Sequence, residues 1–132
     1  MLPQVVFEID MLGNLTYANK QGYELSGYSE QDLIGKSILN FFIPADRARV
    51  VENTKLSLVG DKNALSGEYT MLHKDGSAID VLSYSNPILK ENKIVGLRGV
   101  IIDISEIKQT QKVLKIVFAN GQNMLNIHPK YP

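Results

Sequence analysis

Between Ile94 and Ile104 the chain carries apolar side chains at both parities of a strand: Leu97 and Ile101 on one face, Val100, Ile102 and Ile104 on the other. Successive side chains of a strand point to opposite faces, so this segment needs cover on both sides. One cover is a helical layer inside the domain. The other is a flanking helix or a partner subunit, and this demand limits the fold more than any other feature.

The neighbouring segments supply a sheet for that strand to join. Val5 to Asp10 and Leu15 to Ala18 are short β-rich runs around Gly13-Asn14, a pair that tolerates positive φ, and they predict an antiparallel hairpin. Glu68 to His73 and Ala78 to Tyr84 flank Lys74-Asp75-Gly76-Ser77, a strong hairpin signal. Pro87 is expected to end that second strand, and Glu91-Asn92-Lys93 to turn the chain again. Between the hairpins, Asn19 caps a short helix over Lys20 to Leu25 that Ser26-Gly27 stops, and Ser29-Glu30-Gln31-Asp32 opens a one-turn helix closed at Gly35. Pro44 and Asp46 suit a helix start. Ala48, Val51, Thr54, Lys55 and Leu58 then recur at helical steps until Gly60. From Ser105 the period is helical again, with Ile107, Leu114 and Val117 on one stripe until Asn120-Gly121. The expected organisation is a core over 1–104, a C-terminal helix over 105–118, and a tail or linker over 119–132.

With 132 residues, the chain fits a single domain. It has 14 basic and 14 acidic side chains, so charge gives no general pull toward nucleic acid or anionic lipid. No apolar run approaches a membrane span, and the start lacks a signal-peptide core, so a cytoplasmic chain without membrane insertion is expected. The absence of cysteine removes disulfides, thiolate zinc sites, thiol nucleophiles and cysteinyl-flavin chemistry. Two histidines, His73 and His128, leave little for a metal site. His73 is expected as an exposed strand-end residue, and His128 lacks the acidic neighbour of a phosphoacceptor. Glu24 stands where a nucleophile elbow around Ser26 needs its first glycine, and Gly35-Lys36-Ser37 lacks the upstream glycine of a phosphate loop. No catalysis is expected of this chain.

The string Gly13-Asn14-Leu15-Thr16-Tyr17-Ala18-Asn19, followed by Gly27-Tyr28-Ser29-Glu30 and Leu33-Ile34-Gly35-Lys36-Ser37, resembles the start of a PAS domain. Ile43-Pro44-Ala45-Asp46-Arg47, Lys74-Asp75-Gly76-Ser77 and the run from Gly96 to Glu106 continue the resemblance in the right order. It is nearest to sensory boxes of bacterial and archaeal sensor histidine kinases. It implies an α+β fold with a five-stranded antiparallel sheet in order 2-1-5-4-3, short helices and one longer helix on one face, and a C-terminal output helix. It also implies that Asp103-Ile104-Ser105 is the exit motif, relaying a change at the sheet through that helix to a downstream effector domain. The functional account has Asp103 anchor a cation or backbone donors and so couple sheet strain to helix orientation; the bland account makes Ser105 the N-cap and Glu106 a first-turn acid.

By the same resemblance, the inward faces of the late strands carry Tyr69, Met71, Val81, Ser83, Ser85, Leu97, Gly99 and Ile101. Ser83, Ser85 and Gly99 are small for a core: they either sit against Phe41, Phe42 and Tyr69 in ordinary packing, or leave a cavity for a small organic ligand. A one-residue slip would substitute Leu72, Leu82 and Tyr84. Relatives that hold haem place a histidine on the long helix, which residues 45–59 lack, and covalent flavin needs the missing cysteine. Noncovalent flavin has no support in an aromatic content of 8%. The expected function is a sensory module of a two-component kinase or related regulator, dimeric through Ile107, Leu114 and Val117 or through the outer sheet face. The alternative is a dimerisation or docking scaffold without a ligand.

Overall fold

The structure is a computed structural model that describes residues 4–64 and 66–120. Of the tail expected over 119–132, residues 119 and 120 continue the C-terminal helix, and the rest, with His128, lies outside the described residues. Five antiparallel strands, β1 (Val5–Asp10), β2 (Leu15–Ala18), β3 (Ser66–Leu72), β4 (Ala78–Lys90) and β5 (Lys93–Asp103), form one sheet in the order β2-β1-β5-β4-β3. Helices α1 (Lys20–Ser26), α2 (Glu30–Leu33) and α3 (Pro44–Leu58) connect β2 to β3, and α4 (Ser105–Asn120) follows β5. The expected topology and a C-terminal helix are both present.

Local chemistry accounts for most boundaries. Asn19 Oδ1 accepts from the Gly22 N–H, capping α1, and from the Val6 N–H, which ties that cap to β1. Gly27 ends α1 at φ 78°, and Ser29 caps α2 through the Asp32 N–H. The β3–β4 hairpin turns through Gly76 at φ 90°. Between β4 and β5, Glu91 and Asn92 both take positive φ (51° and 64°) while Lys90 pairs with Lys93. This is the two-residue turn whose twist matches paired strands.

Two expectations are corrected here. Pro87 does not end β4, which runs on to Lys90. The Ile104 N–H donates to the Asp80 carbonyl at 2.8 Å while Val81 pairs with Asp103, which marks that pair as non-hydrogen-bonded. Steps of two along the register make Pro87–Leu97 the same kind of pair, so the Pro87 nitrogen faces away from β5. On that side β3 has already stopped, its last pair being Ser66–Tyr84, and no donor is missed. The second correction is the helix face. α3 buries Val50, Ser57 and Leu58 and half-buries Val51 and Thr54, so of the expected stripe only Ala48 and Lys55 are exposed.

The core lies between the sheet and the helical layer: Phe7, Ile9, Val81, Leu97 and Ile101 of the sheet meet Leu33, Ile38, Phe41, Phe42 and Val50. The opposite face is less covered. Val6, Val100 and Tyr84 form one row across β1, β5 and β4, and Leu82 sits beside Ile102. Val100 and Ile102 are half-buried, while Tyr84 is 48% exposed. α4 does not close this face, for its own Ile107, Val113, Leu114 and Ile116 are about half exposed.

Candidate functional site

Register decides which side chains share the inner face. Gly67, Ser83, Ile101 and Val5 form one row across four strands; Ser85, Gly99 and Phe7 form the next; Tyr69, Val81 and Asp103 form the row on the other side. Tyr69, Met71, Val81, Leu97 and Ile101 are buried in the core cluster, and the two serines are half-buried. The expected strand parity is the one observed, and the one-residue slip is not. Leu72 and Leu82 are half-buried and Tyr84 exposed on the outer parity.

The small residues have different neighbours. Over Gly99 lies the Phe7 ring: a Cβ built there would stand 2.5 Å from Phe7 Cε1 and 2.8 Å from the Tyr84 carbonyl oxygen. Gly99 is therefore a seat for an aromatic ring and leaves no vacant space. Ser83 and Ser85 instead border a cavity of about 40 Å³ beneath α3. Its apolar wall comes from Phe7, Ile9, Phe42, Val50 and Leu97. Its polar wall consists of Asn53, Thr54 and Ser57 from α3, Ser66 and Tyr69 from β3, and the two serines of β4. No side chain lining it is charged. The volume suits a few ordered atoms, well below the 300 Å³ or so at which drug-sized pockets begin.

Of the residues α3 contributes, Thr54 was in the expected helical stripe, but Asn53 and Ser57 were not, because they are polar. Ser57, 1% exposed, donates its hydroxyl to the Ala64 carbonyl at 2.9 Å. Asn53 Nδ2 donates to the Tyr69 hydroxyl. Arg49 stacks its guanidinium 4.4 Å from the centre of the Tyr69 ring, and Phe42 meets that ring edge-on at 5.5 Å. Tyr69 is thus held on three sides. The 3–4 spacing of Asn53, Thr54 and Ser57 was the available signal for an inward polar stripe.

At the exit motif Asp103 anchors a backbone donor, as one account expected, but Ser105 is not the N-cap. Ser105 is the first residue of α4, and Ile104, 7% exposed, holds the N-cap position with its carbonyl accepting from the Lys108 N–H at 2.9 Å. Asp103 supplies the capping acceptor: its Oδ1 takes the Ser105 N–H at 2.9 Å. Asp103, Ser105 and Ile107 also meet Val5, Gln21 and Leu25 around an open groove of about 720 Å³ between α1 and α4. Leu114, 47% exposed, and the half-buried Val117 lie further along the helix.

Lys108 anchors α4 to the sheet with an ammonium 2.9 Å from Glu68 Oε2. That bond, then the attraction of the same carboxylate, holds the Lys108 pKa above its ordinary value. At the far hairpin, His73 is less exposed than expected. Its ring packs on Gly27, and its Nδ1 accepts the Asp75 N–H at 3.1 Å. Asp75 is held below the usual carboxylate range, first by its bonds from the Ser77 hydroxyl and N–H and to a lesser extent by His73.

Comparison with known proteins agrees with this geometry. The PAS fold family model matches residues 15–101. Among characterised sequences, the chain is 27% identical over 101 residues to the mouse (Mus musculus) basic helix-loop-helix ARNT-like protein 2, covering 73% of this chain and 17% of that protein. The chain therefore spans about a sixth of that relative's length. Among solved structures it is similar to the PAS domain of a Colwellia psychrerythraea protein, with a TM-score of 0.70, 28% identity, and coverage of 78% of this chain and 87% of that one. It also shares its fold with a sensory box histidine kinase/response regulator from Burkholderia thailandensis, with a TM-score of 0.70, 19% identity and 91% of each chain covered. The five-strand order, the helical roof over its inner face and the matched span together place this chain in the PAS family.

Proposed function

We propose that this chain is the sensing module of a longer signalling protein, a sensor histidine kinase or related regulator, and that it reads a small neutral ligand beneath α3. The observation that carries the reading is the polar wall of Asn53, Thr54, Ser57, Ser66, Ser83 and Ser85 facing an otherwise apolar cavity. Hydroxyls and an amide without any charge select molecules that donate and accept hydrogen bonds but carry no net charge. A cavity of about 40 Å³ supports a ligand of a few heavy atoms, such as a short alcohol, diol or amide. Haem and flavin are much larger, α3 offers no histidine, and the chain has no cysteine for a covalent flavin.

A ligand acts here only through its differential affinity for two arrangements of sheet and α4. Asp103 caps α4, Ile104 is buried behind it, and Lys108 holds it to β3, so the helix leaves the sheet from a defined root. The chain's role is regulatory rather than catalytic, and an effector domain joined beyond α4 would read the change. Among the described residues no helix is long and apolar enough to cross a membrane.

A second reading rests on the exposed apolar residues of α4 and of the outer sheet face. Ile107 and Leu114 on the helix, with Tyr84, Val100 and Ile102 on the sheet, support a homodimer, and a scaffold needs nothing more. A thermal-shift screen of short neutral alcohols, diols and amides separates the two. Sensing predicts a concentration-dependent rise in Tm that Ser83→Val abolishes by filling the cavity. A screen without hits, with dimerisation intact, supports the scaffold.

A further inference from the structure

β3 is an edge strand, and three consecutive residues on it reach three different elements. Glu68 accepts from Lys108 of α4 at 2.9 Å. Tyr69 turns inward, where Asn53 and Arg49 of α3 hold its hydroxyl and its ring. The Thr70 N–H donates to Asp46 Oδ2 of α3 at 2.7 Å, and its hydroxyl donates to Asp80 Oδ1 of β4 at 3.2 Å. Asp80 in turn receives the Ile104 N–H on its carbonyl.

Tyr69 therefore walls two spaces. On one side is the cavity beneath α3; on the other is a polar cleft of about 210 Å³ bordered by Asp46, Arg49, Glu68, Asp80 and Lys108. The three carboxylates of the cleft do not gather as a metal site, and two of them are engaged by Arg49 at 3.4 Å and Lys108 at 2.9 Å. Neighbouring strand residues project to opposite faces, so a strand rotation that lets the Tyr69 ring yield also moves Glu68 relative to Lys108. The cleft thus joins the cavity wall to the root of the output helix.

We propose that Glu68-Tyr69-Thr70 is the coupling element of this domain: displacement of the Tyr69 ring by a cavity ligand loosens the Glu68–Lys108 contact and frees the first turns of α4. The proposal rests on the sensing reading, but its test needs no ligand. Amide hydrogen exchange over Lys108 to Lys112 is followed in the full chain for the parent protein, Glu68→Gln, Tyr69→Phe and the double variant. Tyr69→Phe removes the bond from Asn53 that fixes the ring against α3, so the ring is freed to shift while the fold is retained; unchanged exchange in β1 and β5 verifies the latter.

Glu68→Gln should speed these amides about two- to fivefold, the range of a partly exposed ion pair. Tyr69→Phe, which touches no atom of α4, should speed the same amides. The double variant should be no faster than Glu68→Gln alone, because both act through one contact. Unchanged α4 exchange in Tyr69→Phe, or rates that multiply in the double variant, would overturn the coupling. A ligand screen without hits would instead defeat the sensing reading and leave these exchange rates unaltered.

Discussion

Replacing Gly99 with alanine adds one methyl group at the most crowded point of the inner sheet face. The new Cβ would lie 2.5 Å from Phe7 Cε1 and 2.8 Å from the Tyr84 carbonyl oxygen, about 1 Å inside ordinary contact. The carbonyl belongs to the β4 backbone and yields little. Phe7 is 5% exposed and packs beside Leu97 at 2% and Ile101 at 5%, so its ring can give way only toward the small cavity beneath α3. Overpacking of this kind destabilises by about 1–3 kcal/mol. The clash with a backbone carbonyl places this case in the upper half of that range; alanine recovers about 0.5–1 kcal/mol by restricting the unfolded chain, so a net loss of about 1–2.5 kcal/mol remains. In a domain of this size, that lowers Tm by roughly 3–8 °C. Thermal denaturation followed by circular dichroism reads the shift directly. Phe7→Leu supplies the control: it destabilises the parent protein but should do so less in the Gly99→Ala background, because it vacates the space the methyl group needs. An unchanged or raised Tm in Gly99→Ala, or strict additivity in the double variant, would refute the packing argument and return Gly99 to the list of cavity-forming residues.

Three further outcomes follow from the output helix and the hairpin. Asp103→Ala removes the acceptor of the Ser105 N–H and should weaken the start of α4 by about 0.5–2 kcal/mol, seen as reduced ellipticity at 222 nm, while Asp103→Asn retains most of the cap. For the dimer of the second reading, Leu114→Glu places a charge on the exposed stripe of α4 and should turn a dimeric parent chain monomeric in sedimentation velocity, with the fold retained; a monomeric parent or an unchanged sedimentation coefficient would contradict an α4 interface. Asp75 is depressed in the folded state chiefly by Ser77, so its contribution is complete above the ordinary carboxylate pKa near 3.9 and is lost as pH falls through the lower folded value. An acid titration by NMR should show the Ser77 amide shifting at a lower pH than an unstructured aspartate, and a transition at or above the ordinary pKa would contradict the bond.

The sheet was legible because each of its signals is local. Asp75-Gly76 and Gly13 mark positions that need positive φ, and alternation from Tyr69 to Met71 and from Leu97 to Ile101 separates inner from outer faces. Pro87 misled because its tolerance depends on where β3 stops, which the sequence around Pro87 does not contain. The face of α3 was legible only in part: Thr54 and Leu58 of the expected stripe do face inward, but Asn53 and Ser57 were missed because an apolar pattern does not mark polar residues that border a polar-walled cavity. Ser105 is a good capping residue, yet the acceptor comes from Asp103 because the buried Ile104 takes the N-cap position. Gly99 and Ser85 read alike as small residues. Only the position of Phe7 across the register tells a seat from a cavity wall.

The most direct measurement is a ligand titration of the isotopically labelled full chain by two-dimensional amide NMR, using a hit from the neutral-molecule screen. The account predicts that amides of Ser83, Ser85 and Tyr69 shift together with those of Ile107 to Leu114, all fitting one dissociation constant. Cavity amides that move while the α4 amides stay in place would show a pocket disconnected from its output helix and contradict the account.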